Sequence, residues 1–200
     1  MRIGILADIH ADVENLRSAI ARLRRDGVDV FVVLGDVIYD SRNATETVEL
    51  LAECGAVGVW GNHELGLCVD PDEEIRELFT PAVMNFFQKL KPKRTIGDVL
   101  FSHIQPNYEA SDPVSYALLP RPYEEGALEE CFSAFPHRVF IVGHCHRWFA
   151  ATPSGRIPWK GAAPLKLKLG TRYFFIIDAV MNGRAAVLDD ELNVLTPIQF

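Results

Sequence analysis

Short apolar runs with the composition of buried strands alternate with segments of helical period from Ile3 to Trp60, and this alternation constrains the fold more than any other feature. The runs are Ile3–Ala7, Val30–Leu34 and Ala56–Trp60. Between the first two, Val13, Leu16, Ile20 and Leu23 recur at the spacing of one helical face. Asp12 stands where an N-cap is expected, and Gly27 where the helix must stop. Between the second and third runs, the segment Ala44–Cys54 places Val48, Leu51 and Ala52 on one face, and Gly55 ends it. Strands separated by helices need crossover connections, which in one sheet means parallel pairing.

Further along, Asp72–Leu90 reads as helix, broken near Pro81 and ended by Pro92. Val99–Ser102 and Val139–Val142 are the fourth and fifth strands. Asn107–Pro122 is expected to be an ordered loop and Glu124–Phe135 a short helix. Tyr173–Val180 and Arg184–Leu188 flank Asn182-Gly183, a two-residue hairpin signal. The last fifty residues therefore read as mostly antiparallel β. The expected fold is one α/β domain over residues 1–200 with two sheets, strand–helix alternation in its N-terminal part and antiparallel hairpins at its C-terminus.

With 48% hydrophobic and 24% charged residues the chain has an ordinary globular composition. Its net charge of −7 and lack of a basic run argue against a nucleic-acid polymer as partner, since such binding relies on many Lys and Arg contacts to phosphate. A small phosphorylated molecule needs only local positive charge. No stretch approaches the roughly 20 apolar residues of a membrane span, and the N-terminus reaches Asp8 too soon for a signal peptide. Cys54, Cys68, Cys131 and Cys145 lack zinc-finger spacing and read as reduced thiols, so the cytoplasm is the expected compartment. Oligomeric state is not encoded in any feature of the sequence.

Five of the six histidines fall in short motifs placed just after the apolar runs: Asp8-Ile9-His10, Asn62-His63-Glu64, Ser102-His103 and His144-Cys145-His146. Gly35-Asp36 occupies the same kind of position without a histidine. In open α/β sheets, residues beyond the carboxyl ends of strands meet in one crevice. Asp, Asn and imidazole ligands without obligatory sulfur suit a pair of divalent metals that act on phosphoesters, and the imidazole-rich set favours Mn, Fe or Zn over Mg or Ca.

The series DIH, GD, GNHE, SH and GHCH resembles the calcineurin-like metallophosphoesterases, in particular small prokaryotic single-domain members, over Arg2 to about Phe149. The resemblance implies a two-sheet αββα sandwich. It implies that Asp8, His10 and His146 bind one metal, that Asn62, His103 and His144 bind the other, and that Asp36 bridges them. His63 matches the family's catalytic histidine, which assists the leaving group while a metal-bridging hydroxide attacks phosphorus. The implied activity is hydrolysis of a small phosphomonoester, phosphodiester or nucleotide. The alternatives are a broad-specificity Ser/Thr-type protein phosphatase and a non-catalytic metal-binding scaffold of the same fold.

The chain departs from the protein phosphatases at GDxxDRG, where Tyr39 replaces the second Asp and Asp40 replaces the Arg that grips phosphate. After the fourth strand, His103-Ile104-Gln105-Pro106 lacks the glycine of HG-x-P. Glu64 is open to two readings, an acid that orients a ligand and an acid that starts a helix. Cys145 is expected to point away from its histidine neighbours, and His137 to lie on the surface. Tyr108, Tyr116, Trp148 and Trp159 are read as core. Asp178, Asp189 and Asp190 are read as turn residues.

Overall fold

A computed structural model describes residues 1–200. The first sheet takes up the expected alternation. β1 (Arg2–Leu6) is followed by α1 (Val13–Arg25), β2 (Val30–Leu34), α2 (Ala44–Glu53) and β3 (Val57–Val59). The three strands pair in parallel, with Ile5 opposite Val32 and Val33 opposite Gly58. The Asp12 carboxylate caps α1 by accepting the Asn15 N–H at 3.0 Å.

Three short helices follow: α3 (Leu65–Cys68), α4 (Glu73–Glu77) and α5 (Pro81–Phe87). The helical stretch from 72 to 90 is thus broken at Pro81, whose ring fits the first turn of α5. The second sheet begins with β4 (Lys93–Ile96) and β5 (Val99–Ser102). α6 (Pro113–Ala117) and α7 (Glu129–Ala134) precede β6 (Val139–Val142). The loop expected over 107–122 therefore contains a helical turn. The helix expected over 124–135 covers only its second half, because Gly126 adopts φ 74°. The remaining strands are β7 (Phe149–Thr152), β8 (Gly155–Ile157), β9 (Leu165–Lys166), β10 (Tyr173–Ile176), β11 (Arg184–Asp189) and β12 (Val194–Gln199).

Strand order is β3-β2-β1-β11-β12-β9 in one sheet and β4-β5-β6-β10-β7-β8 in the other. The strands alternate their faces as the pleat requires. Ile3, Ile5, Val32 and Leu34 meet Phe101, Ile141 and Phe175 between the sheets. Leu6 and Val33 face α1, α2 and α5 through Leu16, Leu23, Val48 and Phe87. Phe140, Phe174 and Ile176 on the far face of the second sheet are covered by Cys131 and Phe132 of α7. These four layers are the expected αββα sandwich.

One expectation is corrected. Asn182-Gly183 does not join a hairpin, because β10 and β11 lie in different sheets. The Val180 N–H donates to the Ala7 carbonyl at 2.7 Å, which draws the chain from the second sheet to the edge of β1. Gly183, at φ 71°, ends a short 3₁₀ turn over Val180–Asn182. β11 then pairs antiparallel with β1, placing Ile3 opposite Leu188. The local turn signal is real, but tertiary pairing decides its use. Likewise β10 pairs in parallel with β6, and the antiparallel hairpins of this region are β7–β8 and β11–β12.

Candidate metal centre

The carboxyl ends of β1, β2 and β3 in one sheet and of β5 and β6 in the other point to one crevice. Past β1 and β2 the ladder continues irregularly: the Asp8 N–H donates to the Gly35 carbonyl at 3.2 Å, and the His10 N–H to the Asp36 carbonyl at 2.9 Å. Across the sheets, the His144 N–H donates to both carboxylate oxygens of Asp8 at 3.0 Å. The backbone in this crevice is strained. Nine non-glycine residues adopt positive φ, and Asp8, His10, Asp36, His144 and His146 are five of them. Asp and His are among the non-glycine residues that adopt positive φ most readily, and their concentration in one crevice makes it the candidate functional site.

Two groups of donor atoms result, each within 4.8 Å: Asp8, His10, Asp36 and His146, and Asp36, His103 and His144. Asp36 belongs to both. In the first group His10 Nε2 lies 3.3 Å from His146 Nε2 and 3.8 Å from Asp36 Oδ2, while His146 Nε2 lies 3.5 Å from Asp8 Oδ1. In the second, His103 Nε2 lies 3.3 Å from Asp36 Oδ2, 3.2 Å from His144 Nδ1 and 3.3 Å from Asn62 Oδ1.

The donor set fits a cation. His103 Nδ1 faces the Leu34 carbonyl at 2.5 Å, and His144 Nε2 faces the Tyr116 carbonyl at 3.1 Å. Each carbonyl can only accept, so the ring nitrogen facing it carries the proton and the opposite nitrogen turns its lone pair to the crevice. Asp8 and Asp36 are buried carboxylates with no Lys or Arg partner, and unpaired buried charge is costly. Burial is the largest single influence on the Asp36 carboxyl and raises it, but the charge and hydrogen bond of His103, joined by the His63 N–H, together hold it well below the usual range. Burial disfavours the His103 imidazolium as well, yet Asp36 lifts its pKa to about 9. Without a cation, a proton on His103 neutralises Asp36. Burial first and the His103 charge second push His144 down to about 3.

His63 stands at the rim on a 3₁₀ turn over Asn62–Glu64, with its ring partly exposed. Its N–H donates to Asp36 Oδ1 at 3.1 Å, its Nε2 is 4.0 Å from Asp36 Oδ2, and its ring meets that of His10 edge-on at 4.8 Å. Glycine is required beside it: a methyl on Gly61 would stand 2.2 Å from Asp36 Oδ1, and one on Gly35 would stand 2.7 Å from His103 Nδ1.

Glu64 takes the orienting role that its sequence left open. It is fully buried and accepts from the N–H groups of Asp36, Val37, Ile38 and Gly61 at 2.8 to 3.2 Å. It thereby ties the GNHE turn to the loop that carries Asp36. Burial, reinforced by the Asp36 charge, pushes its carboxyl up to about 7, and the amide donors oppose that rise. The Gly61-to-Glu64 spacing of a capping pair is the sequence signal for this role. The Tyr116 carbonyl behind His144 has no such signal.

Cys145 packs toward the α7 side, and burial pushes its thiol up to about 11, away from the thiolate a ligand would need. His137 lies outside the crevice, 3.1 Å from Thr95 Oγ1. Trp148 and Trp159 pack edge-to-face between the sheets. No helix is long and apolar enough to cross a membrane.

The family model of calcineurin-like phosphoesterases matches residues 1–176, from β1 through β10. The chain belongs to the calcineurin-like phosphoesterase family. Among solved structures, it resembles a metallophosphoesterase from Sphaerobacter thermophilus with a TM-score of 0.80 at 20% identity, covering 100% of this chain and 88% of that one. A structure described as a novel archaeal phosphodiesterase aligns at TM-score 0.59 and 16% identity over the whole of both chains. A phosphoesterase from E. coli, Yfce, aligns at 0.51 and 16%, covering 100% of this chain and 99% of that one. At these identities the likeness establishes the fold of this calcineurin-like phosphoesterase. An uncharacterized protein of Methanocaldococcus jannaschii is 31% identical over 65 residues, which cover 32% of this chain and only 27% of that relative. The family is metal-dependent, and the crevice contains His and Asp groups able to hold metal.

Proposed function

We propose that this calcineurin-like phosphoesterase is a cytoplasmic, single-domain hydrolase over residues 1–200 that uses two transition-metal ions on a small phosphate ester. Asp8, His10 and His146 would hold one ion and Asn62, His103 and His144 the other, with Asp36 shared. The observation that supports this reading is the membership of Asp36 in both donor groups. Mn, Fe and Zn suit the imidazole-rich set. When bound, such a pair lowers the pKa of water and withdraws charge from phosphoryl oxygens.

The chain's own residues do the rest. The carbonyls of Leu34 and Tyr116 fix the imidazoles of His103 and His144, so the site is oriented before any ligand arrives. Hydrolysis breaks the bond from phosphorus to the leaving oxygen, and water supplies the oxygen that replaces it. His63, at the rim, gives the leaving oxygen its proton. Asp40, at the position of the protein phosphatases' phosphate-gripping Arg, is itself paired with Arg42. This favours small esters over phosphoproteins.

Full-length protein stripped with chelator and reloaded with manganese is the test, assayed on 4-nitrophenyl phosphate, bis(4-nitrophenyl) phosphate and a phosphopeptide. We expect metal-restored release of 4-nitrophenol. Full metal loading with no hydrolysis of any of the three would replace the enzyme reading with the scaffold. Phosphate release from the peptide alone would make the chain a protein phosphatase.

A further inference from the structure

His10 and His146 form one end of an open cavity of about 800 Å³. Its other walls come from Ala11, from Tyr39, Asp40, Arg42 and Asn43 in the loop after β2, and from Met181, none of which is a proposed ligand or acid. Tyr39 dominates this wall. It is the most exposed tyrosine of the chain, with 67% of its surface open. Its ring centroid lies 5.2 Å from that of His63 at an interplanar angle of 35°, and 6.2 Å from that of His10. This large aromatic ring stands open to solvent beside the group proposed to face the leaving oxygen, where it is accessible to a planar ligand. Met181, also exposed, lines the same cavity with a polarizable thioether that suits contact with a ring.

The remaining wall limits what can enter. Arg42 is the only Lys or Arg lining the cavity, and Asp40 Oδ2 holds both its Nε at 2.9 Å and its Nη2 at 2.6 Å. Asp40 Oδ1 also accepts the Arg42 N–H at 2.8 Å. The pair offers no net positive charge to a second phosphate.

We propose that Tyr39 is a stacking platform for a planar aromatic leaving group, and that the substrate is a nucleoside ester of a single phosphate. This inference rests on the phosphoesterase reading. A phosphoryl group at the imidazole end of the cavity directs its leaving group along the Tyr39 wall. Base–aromatic stacking tolerates any base, because every base presents a π-face.

The test compares adenosine 5′-monophosphate with ribose 5-phosphate, and the methyl diesters of both, on manganese-loaded full-length protein. The monoesters lose the same primary alkoxide, and for the diesters the release of adenosine or ribose, as distinct from methanol, is followed, so the base is what differs within each pair. We expect kcat/KM for the nucleoside member to exceed that for the sugar member by about tenfold or more, the scale of one stacked base. Tyr39→Ala is expected to bring this ratio to within about threefold of one, and Tyr39→Phe to keep it. Calorimetric binding of adenosine, a readout independent of turnover, is expected to weaken in Tyr39→Ala and persist in Tyr39→Phe. Equal kcat/KM for both members of each pair in the parent protein would overturn the inference while leaving the phosphoesterase reading intact. So would an equal loss on both members in Tyr39→Ala, which would make Tyr39 a positioning residue for His63. No hydrolysis of any of the four compounds would overturn this inference; the same preparation's release of 4-nitrophenol from the aryl esters then leaves the phosphoesterase reading standing, and its failure there removes that reading as well.

Discussion

His63→Ala is expected to lower kcat by about 100- to 10,000-fold, the range for loss of a positioned general acid, while metal content stays near that of the parent protein. The reason is geometric. His63 stands at the rim, and what ties it to the site is its backbone N–H to Asp36 Oδ1, which alanine retains. Its ring touches His10 edge-on but belongs to neither donor group. Elemental analysis beside steady-state kinetics checks the two halves of the expectation separately. A variant that turns over at the parent rate removes His63 from the chemistry. A variant that loses its metal moves the residue among the ligands.

The second large effect concerns a residue that belongs to neither donor group and bonds only main-chain amides. Glu64→Ala strands four buried N–H donors, those of Asp36, Val37, Ile38 and Gly61. Each stranded donor costs about 1–3 kcal/mol, and the losses are not additive. A total of about 3 kcal/mol or more is expected, which for a chain of this size lowers Tm by about 6 °C or more. Two consequences separate this from ordinary core damage. The loop holding Asp36 loses its tie to the GNHE turn, so metal affinity falls along with stability. Glu64→Gln is expected to be intermediate in both, because its remaining oxygen can serve only two of the four donors. Thermal unfolding and metal titration of the two variants check the order. Parent-like Tm in Glu64→Ala would show the amides are satisfied in another way.

Most of the frame is legible because burial writes periodicity into the chain. Val30–Leu34 is apolar at every position because both faces of β2 are covered, one by helices and one by the second sheet. β4 escapes for the converse reason: Lys93-Arg94-Thr95-Ile96 is an edge strand, half open to solvent, with a single apolar side chain. Asn182-Gly183 misleads because its local signal is the same whether the chain folds back or crosses to the other sheet. The convergence of the site has a similar source, since Gly35, Gly61 and Gly143 each precede a site residue at a strand end and each admits a close approach across the crevice. The role of Glu64 was open because its partners are main-chain amides, and three of the four lie 26 to 28 residues away. Amides carry no residue identity that a sequence pattern can register. Tyr39 stood out in the sequence as a departure from the protein phosphatases, but only the cavity gives that departure a chemical meaning.

Crystals of the full chain soaked in manganese give the most direct test. The account predicts two anomalous difference peaks about 3.5–4 Å apart, one among Asp8, His10 and His146, one among Asn62, His103 and His144, with Asp36 touching both. A single peak, or peaks that leave Asp36 uncoordinated, would contradict it.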